Sequence, residues 1–254
     1  MARISYVNGC YCLHQEAMVH IEDRGYQFSD GIYEYIAFYN RRLLDGDLHL
    51  ARLERSLQAL NIAMPMSMRA LQLVIAELIA RNDRDDGGLY MQVTRGVARR
   101  DHPFPRDTKP ALTMTICGAK RPKPHEVLHG VKVITQPDIR WARRDIKSVS
   151  LLANVLAKQE ATQQKTREAW LYLENGDFTE GAVSNAYIIS AKGDLITHKS
   201  DQSILGGITR EVVLRLANEA NIPVKEQPFN RRDIERASEA FITSTSANVL
   251  PVVQ

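Results

Sequence analysis

The sequence lacks several features that would assign a protein to a specialised class. Its 254 residues contain only three cysteines, Cys10, Cys12 and Cys117, and these do not show the paired spacing of metal ligands. We therefore expect reduced thiols in a cytoplasmic protein. The N-terminus has no long apolar run followed by a small-residue cleavage site, and no stretch reaches the length that spans a bilayer. Secretion and membrane insertion are not expected.

The sequence also lacks an excess of charge and the motifs of several enzyme classes. Its formal net charge is +3, with basic and acidic residues interspersed, so a nucleic-acid-binding face is not indicated. No cysteine-rich ligand spacing accompanies the histidines, and no metal site is predicted. There is no G-x-S-x-G nucleophile elbow, and the glycine pair at 206–207 is not followed by a Walker lysine. Neither a serine hydrolase nor a nucleoside-triphosphate-binding protein is indicated.

The first half of the chain contains both strand and helix patterns. The 44% hydrophobic content is ample for one large domain or two smaller ones. Asn8-Gly9 between two short apolar runs is a strong hairpin signal. The proline-containing cationic stretch 120–124 stiffens the chain and is predicted to be a linker without helix. Further strands are predicted at 32–39, 89–94 and 111–116, and helices at 48–60 and 67–81.

The second half alternates short strands with helices. Short turns between several of its strands favour antiparallel pairing. Its strands are predicted at 131–135, 169–173, 186–190, 195–197 and 240–243, and its helices at 151–164, 208–221 and 231–236. We thus predict an α+β fold of mixed α/β character, with a small N-terminal domain at 1–119, a linker at 120–124 and a larger C-terminal domain at 125–254.

Lys147 is the candidate for a reactive group. It follows a cationic, turn-like approach at 141–144 and precedes apolar residues at 151–156 that recur at helical spacing. A lysine at a strand-to-helix junction faces a cleft, and partial desolvation beside other cations leaves a nucleophilic amine. Such an amine can form a Schiff base with an aldehyde cofactor. From the residues alone, the alternative is a solvated surface lysine.

Glu180 is the candidate partner for a heterocyclic ring. It lies in a turn-like segment, 177–185, that can aim a carboxylate inward. A carboxylate keeps a pyridine nitrogen protonated, which lets the ring accept electrons from a carbanion. Glu180 can equally be a surface turn residue, and Ser184 and Asn185 can simply be turn formers.

Three segments carry groups suited to a phosphate. Gly206-Gly207-Ile208-Thr209 starts a predicted helix, where glycines permit close approach and the N–H groups of the first turn point at an anion. The hydroxyl-rich segment 243–248 can add donors, although it can also be a polar loop. Arg52 is either a helical surface charge or a bidentate phosphate ligand.

The loop at 94–103 concentrates cations. Arg100 and His102 are two residues apart, so they point to the same side of an extended chain and can jointly bind a carboxylate. A charge-rich loop can also be merely solvated.

These separate signals follow an order that resembles one enzyme family. The motifs are Phe28-Ser29-Asp30-Gly31-Ile32-Tyr33-Glu34, His49-Leu50-Ala51-Arg52-Leu53, Arg144-Asp145-Ile146-Lys147-Ser148, Thr179-Glu180-Gly181 with Ser184-Asn185, Ile204-Leu205-Gly206-Gly207-Ile208-Thr209-Arg210, and Thr243-Ser244-Thr245-Ser246. Together they resemble the fold type IV pyridoxal-phosphate enzymes, which include D-amino-acid and branched-chain aminotransferases and aminodeoxychorismate lyase. The resemblance covers nearly the whole chain and implies a small α/β domain with a larger, β-barrel-like domain.

The resemblance implies a role for each motif residue. Lys147 would be the Schiff-base lysine and proton carrier, and Glu180 would pair with the pyridine nitrogen of pyridoxal 5'-phosphate. Leu205 would pack on the cofactor ring. The other cofactor-binding residues implied by the family are Arg52, Ser184, Asn185, Gly207, Ile208, Thr209, Ser244 and Thr245.

Within the family, the likeness is closest to the D-amino-acid aminotransferases. That subgroup binds the substrate carboxylate with a tyrosine of the first motif and an Arg-x-His pair, which Tyr33, Arg100 and His102 match, and Ser246 is implied as a further substrate contact. The implied reaction is a ping-pong transfer of an amine from a D-amino acid such as D-alanine to a 2-oxo acid such as 2-oxoglutarate. The alternatives are an aminodeoxychorismate lyase, a branched-chain or (R)-amine transaminase, and a non-catalytic cofactor-binding protein.

The resemblance also implies a homodimer whose loops complete one another's active sites, with Arg100 and His102 across the subunit boundary. Family members usually continue beyond the position of Gln254 with another hairpin and a helix. None of the motif residues belongs to that additional segment.

Overall fold

The computed structural model describes residues 3–254, so Met1 and Ala2, where the predicted N-terminal domain begins, lie outside the described residues. By its internal contacts the chain divides into two units. The first comprises the residues up to Lys120 together with Ile146–Ser150, and the second comprises Arg121–Asp145 and Leu151–Gln254. The mixture of helices and sheets confirms the predicted α+β class.

A six-stranded antiparallel sheet organises the first unit. Its strands are β1 (Ile4–Val7), β2 (Cys10–Leu13), β3 (Gly31–Tyr39), β4 (Arg42–Leu43), β5 (Gly87–Thr94) and β6 (Ala111–Cys117). They pair in the order β2-β1-β6-β5-β3-β4. Asn8 and Gly9 have φ values of 45° and 102°, as the tight turn between β1 and β2 requires, and the predicted hairpin is confirmed.

Within its described residues, the first unit has three α-helices. They are α1 (Arg24–Phe28), α2 (Gly46–Ala59) and α3 (Met68–Arg81). The leucines and isoleucines that recur every three or four residues on α2 and α3, such as Leu53 and Leu71, are fully buried in one core with the sheet. The sequence predicts a loop at 23–31, whereas the structure has α1 there, because the Asp23 side chain caps it by accepting a hydrogen bond from the Gly25 N–H.

The segment Ile146–Ser150 pairs with the start of β3. The Tyr33 N–H donates to the Lys147 carbonyl and the Val149 N–H to the Gly31 carbonyl, each at 3.0 Å. Ile146 is buried in the core of the first unit. The division predicted from the sequence assigns all of 125–254 to one domain, and it differs here because this short extended segment returns to the first unit's sheet.

The second unit contains two sheets. Their strands are β7 (Val133–Pro137), β8 (Glu168–Tyr172), β9 (Phe178–Gly181), β10 (Asn185–Ile189), β11 (Leu195–Thr197), β12 (Val224–Glu226), β13 (Glu239–Ser244) and β14 (Asn248–Pro251). One sheet has the order β12-β11-β10-β13-β14 and the other β7-β8-β9. The helices of this unit are α4 (Pro124–His129), α5 (Leu152–Gln163), α6 (Ile208–Glu219) and α7 (Arg231–Arg236). Among residues 3–254, none of the helices has the length and apolar character needed to cross a bilayer.

The short turns β8–β9 and β10–β11 join antiparallel strands, as predicted. The pairs β7–β8 and β11–β12 are parallel, because a crossover helix, α5 or α6, lies between the strands of each pair. The second unit differs from the sequence predictions at two places. The predicted linker is not free of helix, since α4 begins at Pro124, and proline is tolerated in a first turn where its missing N–H has no intrahelical partner. A further strand, β14, follows the predicted last strand after a tight turn at 245–247, and its first residue, Asn248, has a φ of 54°.

Candidate active site

Lys147 lies beside Tyr33 on the first unit's sheet. Its neighbours Ile146 and Ser148 are buried, and the alternation of an extended chain turns Lys147 to the opposite side. Its Nζ is 4.2 Å from the centroid of the Tyr33 ring, where the negative face of the ring attracts a cation. The structure therefore brings two of the predicted site residues together on one half-buried face.

This face continues as a row of aromatic and polar side chains. The rings of Tyr33 and Tyr90 stack with their centroids 5.8 Å apart. The Tyr90 hydroxyl donates to Gln92 Oε1 at 2.7 Å. Burial, together with the nearby Tyr33, raises the pKa of Tyr90 to about 12, so its hydroxyl remains a hydrogen-bond donor. Lys147 is thus next to side chains that offer both apolar ring surface and hydrogen-bonding groups.

Arg52 forms a buried, two-pronged ion pair with Glu34. Arg52 Nε lies 2.7 Å from Glu34 Oε1 and Arg52 Nη2 lies 2.8 Å from Glu34 Oε2, while His49 Nδ1 lies 2.9 Å from Glu34 Oε2. Arg52 is 5% exposed, which excludes the solvated surface alternative. Burial alone would raise the pKa of Glu34, but the charge and hydrogen bonds of Arg52, the His49 hydrogen bond and the charge of Lys147 lower it to about 2.

The position of Glu34 in an apolar alternating strand indicates that its carboxylate is buried and needs a cationic partner. Glu34 shares the inward face of β3 with Ile32 and Ile36, which are fully buried at alternating positions. A carboxylate at such a position requires a buried cation. Arg52, on the same face of α2 as His49 and Leu53, supplies that cation and is held in a fixed orientation.

Replacing Glu34 with glutamine is expected to lower the free energy of unfolding by about 3–5 kcal/mol, because the Arg52 guanidinium then stays buried without this carboxylate. Urea unfolding measures the change. Since the folded-state pKa of Glu34 is lowered to about 2, the carboxylate's contribution is present above the ordinary glutamate pKa and is lost as the pH falls towards about 2.

The control for this prediction is Glu77→Gln, which breaks an ion pair with Arg81 between half-exposed side chains of the same unit. It is expected to cost about 0–1 kcal/mol. Equal losses in the two variants would contradict the structural role given to the Glu34–Arg52 pair.

Glu180 is a buried strand residue of the second unit. It lies in β9 and is 4% exposed, which excludes the surface-turn alternative. Its Oε1 accepts hydrogen bonds from Arg140 Nη1 at 2.6 Å and from the Leu205 N–H at 3.0 Å, and its Oε2 accepts one from Asn185 Nδ2 at 2.9 Å. Burial raises the pKa of the Glu180 carboxyl, and Arg140 and the Leu205 N–H oppose that rise. Such a carboxyl can share a proton with a ring nitrogen.

Arg140 and Asp138 are functional candidates that the sequence patterns do not reveal. Arg140 bridges Glu180 and Asp138, with Nη2 2.7 Å from Asp138 Oδ2. Asp138 also accepts a hydrogen bond from the Thr179 hydroxyl at 2.8 Å. Burial would raise the pKa of Asp138, but Arg140 and Thr179 lower it overall. The Glu180 carboxylate is therefore held by a second carboxylate through a shared arginine.

The start of α6 is joined to Glu180 by Asn185. Asn185 Nδ2 donates both to Glu180 and to the Leu205 carbonyl, each at 2.9 Å. A Cβ atom on Gly207 would come within 2.0 Å of Asn185 Oδ1, so this position requires glycine. Gly207 is the N-cap of α6, and the N–H groups of the next residues, Ile208 and Thr209, have no acceptor within the helix. This helix start can bind an anion.

The remaining predicted cofactor-binding residues lie at two turns of the second unit. The Ser184 hydroxyl donates a hydrogen bond to the buried Glu168 at 2.9 Å, so its side chain stabilises the turn between β9 and β10. Burial raises the pKa of Glu168. The residues Ser244, Thr245 and Ser246 lie where β13 turns towards β14, next to Asn185, because Asn185 pairs with Thr243.

Arg100 and His102 are exposed and lie on the same aromatic ring. The Arg100 Cζ atom is 5.0 Å from the Phe28 centroid, and the His102 and Phe28 centroids are 5.5 Å apart. The two side chains are therefore close together, as a joint carboxylate site requires.

The donor set of the second unit fits pyridoxal 5'-phosphate. A buried carboxyl at Glu180 suits the ring nitrogen, and the first turn of α6 with the Thr209 hydroxyl suits the phosphate. The Leu205 N–H contacts Glu180, and α6 starts three residues later at Ile208. The segment from Leu205 to Ile208 therefore connects a site for the ring nitrogen with a site for the phosphate.

Comparison with known proteins identifies the family. Residues 31–254 match the family model of amino-transferase class IV. The chain is 43% identical over 246 residues to D-alanine aminotransferase from Bacillus licheniformis, covering 96% of this chain and 86% of that protein. It is 40% identical over 250 residues to D-alanine aminotransferase from Staphylococcus haemolyticus, covering 98% of this chain and 88% of the relative.

Solved structures show the same fold at lower identity. The branched-chain amino acid aminotransferase of Escherichia coli superposes with a TM-score of 0.90 at 22% identity, covering 99% of this chain and 86% of that one. A branched-chain amino acid aminotransferase from T.th., solved with pyridoxamine 5'-phosphate, superposes with a TM-score of 0.89 at 23% identity, covering 99% and 85%. The predicted fold is confirmed, and the chain belongs to the class IV aminotransferase family.

Proposed function

We propose that this protein is a pyridoxal 5'-phosphate-dependent aminotransferase that moves the amino group of a D-amino acid, such as D-alanine, to a 2-oxo acid, such as 2-oxoglutarate. The similarity to D-alanine aminotransferases over nearly the whole chain carries this proposal. The relative solved with pyridoxamine 5'-phosphate, which shares the fold, supports the cofactor. When bound, the cofactor supplies an aldehyde that accepts an amine and a ring that withdraws electrons from the substrate's α carbon.

We assign Lys147 Nζ two tasks, the covalent attachment of the cofactor and the transfer of a proton at the substrate's α carbon. The contact of Nζ with the Tyr33 ring keeps the amine at one place on the sheet. A proton delivered from one fixed amine reaches one face of a planar carbon. The hand of the amino acid product follows from that face.

Most of the groups that hold the cofactor in this proposal belong to the second unit. Glu180, fixed by Arg140 and Asn185, receives the ring nitrogen, and Leu205 packs on the ring. The first turn of α6 binds the phosphate through Ile208 and Thr209. We also assign the phosphate to Arg52, whose orientation is set by Glu34, and to the hydroxyls of Ser244 and Thr245. Ser184 acts through the turn that it stabilises.

We assign the substrate carboxylate to Tyr33, Arg100 and His102, and we assign Ser246 as a further substrate contact. Replacing Arg100 with alanine is expected to raise the KM for D-alanine about ten- to a hundredfold and to change kcat much less, because a hydrogen bond to a charged group contributes about 1.5–3 kcal/mol. Steady-state kinetics measures both constants. The matched control is Arg99→Ala, which removes an exposed arginine from the adjacent position. An unchanged KM in Arg100→Ala would contradict the role of Arg100 in binding the substrate carboxylate.

We further propose a homodimer, located in the cytoplasm. Leu152, Val155 and Leu156 recur at helical spacing on α5 and are 72%, 57% and 54% exposed, so this unit leaves an apolar stripe uncovered. A second copy would bury it. The free cysteines Cys10, Cys12 and Cys117 support a reducing compartment. Light scattering that gave a fully active monomer would contradict the dimer.

One experiment tests the proposed reaction. The absorption spectrum of the purified, cofactor-loaded protein is recorded before and after separate additions of D-alanine, L-alanine and aminodeoxychorismate. A change in the cofactor band with D-alanine, together with pyruvate formation, is the expected result. A response to L-alanine alone would indicate a branched-chain type enzyme, and pyruvate formed from aminodeoxychorismate would indicate the lyase.

A further inference from the structure

Buried charges lie beneath the loop that carries Arg100 and His102. Asp30 accepts hydrogen bonds from Arg24 Nε at 2.8 Å and from Arg95 Nε and Nη2 at 2.7 and 3.0 Å. Arg24 is 4% and Arg95 is 7% exposed. A single carboxylate thus holds two buried guanidinium groups in fixed positions.

Arg24 connects this network to the loop. Its Nη1 donates to the Asp101 carbonyl at 2.6 Å, and its Nη2 donates to the His102 carbonyl at 3.3 Å. The planar fork of a guanidinium can serve a carboxylate and two carbonyls at once, which the compact ammonium of a lysine cannot do with the same geometry. Arg24 therefore holds the backbone immediately after Arg100.

Phe28 supports the same side chains from below. The Cζ atom of Arg24 is 4.7 Å from the Phe28 centroid, and Arg100 and His102 also lie on this ring. Phe28 ends α1, the short helix that Arg24 begins. This helix packs closely against β5 at Gly25, where an added Cβ atom would lie only 2.2 Å from Thr94 Cγ2.

Arg95 holds the next part of the loop. Its Cζ atom lies 3.6 Å from the centroid of Phe104. It also donates to the carbonyls of Leu60 and Asn61, which follow α2. The loop is thus fastened to two places in the first unit through one pair of arginines.

We infer that Arg24 and Asp30 are positioning residues for substrate carboxylate binding, because they hold the loop of Arg100 and His102 in its binding conformation before the substrate arrives. The inference rests on the carboxylate role proposed for Arg100 and His102. Neither Arg24 nor Asp30 needs to touch the substrate. An exposed loop that is ordered in advance loses less conformational freedom when it binds, and that difference strengthens substrate binding.

The test compares Arg24→Lys with the wild-type holoenzyme. We expect the KM for D-alanine to rise about tenfold or more while kcat stays within about twofold. The inhibition constant of propanoate, which presents a carboxylate without an amine, should rise by the same factor. Hydrogen exchange of the Asp101, His102 and Phe104 amides should become faster. Asp30→Asn is the second variant, and it should show the same changes because both arginines lose their shared charge.

The control is Arg41→Gln, since Arg41 joins Asp83 and Asp85 at an exposed site elsewhere in the first unit. It should leave all three measurements unchanged. If the wild type does not convert D-alanine, the proposed function fails before any variant is compared. If the wild type is active and Arg24→Lys keeps its KM and its propanoate inhibition constant, the inference is overturned, whatever the exchange rates. A fall in kcat and cofactor content without a change in KM would also overturn it.

Discussion

Replacing Lys147 with alanine is expected to abolish amino transfer from D-alanine to 2-oxoglutarate, with a loss of more than about 10⁴-fold in kcat. The variant loses both the covalent attachment of the cofactor and the group that moves the proton at the substrate's α carbon. The loss of folding stability should be small, because Lys147 is only half-buried. Removing its side chain does not change the core-facing side chains of Ile146 and Ser148. Thermal unfolding and pyruvate formation, measured on the same samples, separate the two effects.

Two further measurements make this prediction specific. After borohydride reduction of the loaded protein, mass spectrometry should find the cofactor on the peptide containing Lys147 in the wild type and on no peptide of the variant. A small primary amine added to Lys147→Ala should restore part of the proton transfer. The control is Lys192→Ala, in an exposed turn, which should retain full activity. Cofactor found covalently bound to another lysine in the wild type would refute the assignment.

The parts of this structure that the sequence predicts well are those decided by local chemistry. The strand β11 and the helix α7 have the predicted bounds, because a short apolar run bounded by turn residues and a capped polar helix each contain their own signals. The positive φ values at Asn8 and Gly9 are of the same kind, since few residue pairs tolerate them. The candidate site residues follow from resemblance, and the chemistry of the individual residues left alternatives open for each of them.

The parts that the sequence does not predict depend on contacts between distant residues. Arg140 lies forty positions from Glu180, and no spacing rule connects them. The return of Lys147 to the first unit's sheet depends on pairing with Gly31 and Tyr33, more than a hundred residues earlier. Helical pairing rules extend over a few residues only, so such contacts appear only when the fold is known.

The burial of Glu180 affects how the activity depends on pH in the acidic range. The pKa of its carboxyl is raised by burial, against the opposing effect of Arg140. The carboxylate that a ring nitrogen needs is therefore formed only as the pH rises through that raised pKa, and activity should fall as the pH drops through it. For stability the sign is opposite. A carboxyl with a raised folded-state pKa contributes stability below its unfolded-state pKa, and this contribution is lost as the pH rises through the folded-state value.

Glu180→Gln is accordingly expected to lower kcat about 10²–10³-fold and to remove the acid limb of the pH profile, since the amide cannot ionise. An amide also disturbs the neighbouring contacts. If its oxygen keeps the bonds from Arg140 and Leu205, its nitrogen faces Asn185 Nδ2, which is itself a donor. Asn185 cannot rotate its amide without loss, because Nδ2 also donates to the Leu205 carbonyl, which a rotated Oδ1 would face instead. Cofactor affinity should therefore fall together with kcat.

Glu174→Gln is the matched control, because Glu174 is exposed in the turn between β8 and β9, close in the chain to Glu180. It should leave kcat, the acid limb and the cofactor affinity unchanged. The profile of kcat against pH, the dissociation constant of the cofactor and the unfolding temperature across the acidic range are the measurements. A Glu180→Gln variant with kcat within about twofold of the wild type would show that the ring nitrogen does not depend on this carboxylate. An acid limb that persists in the variant would assign that limb to another group.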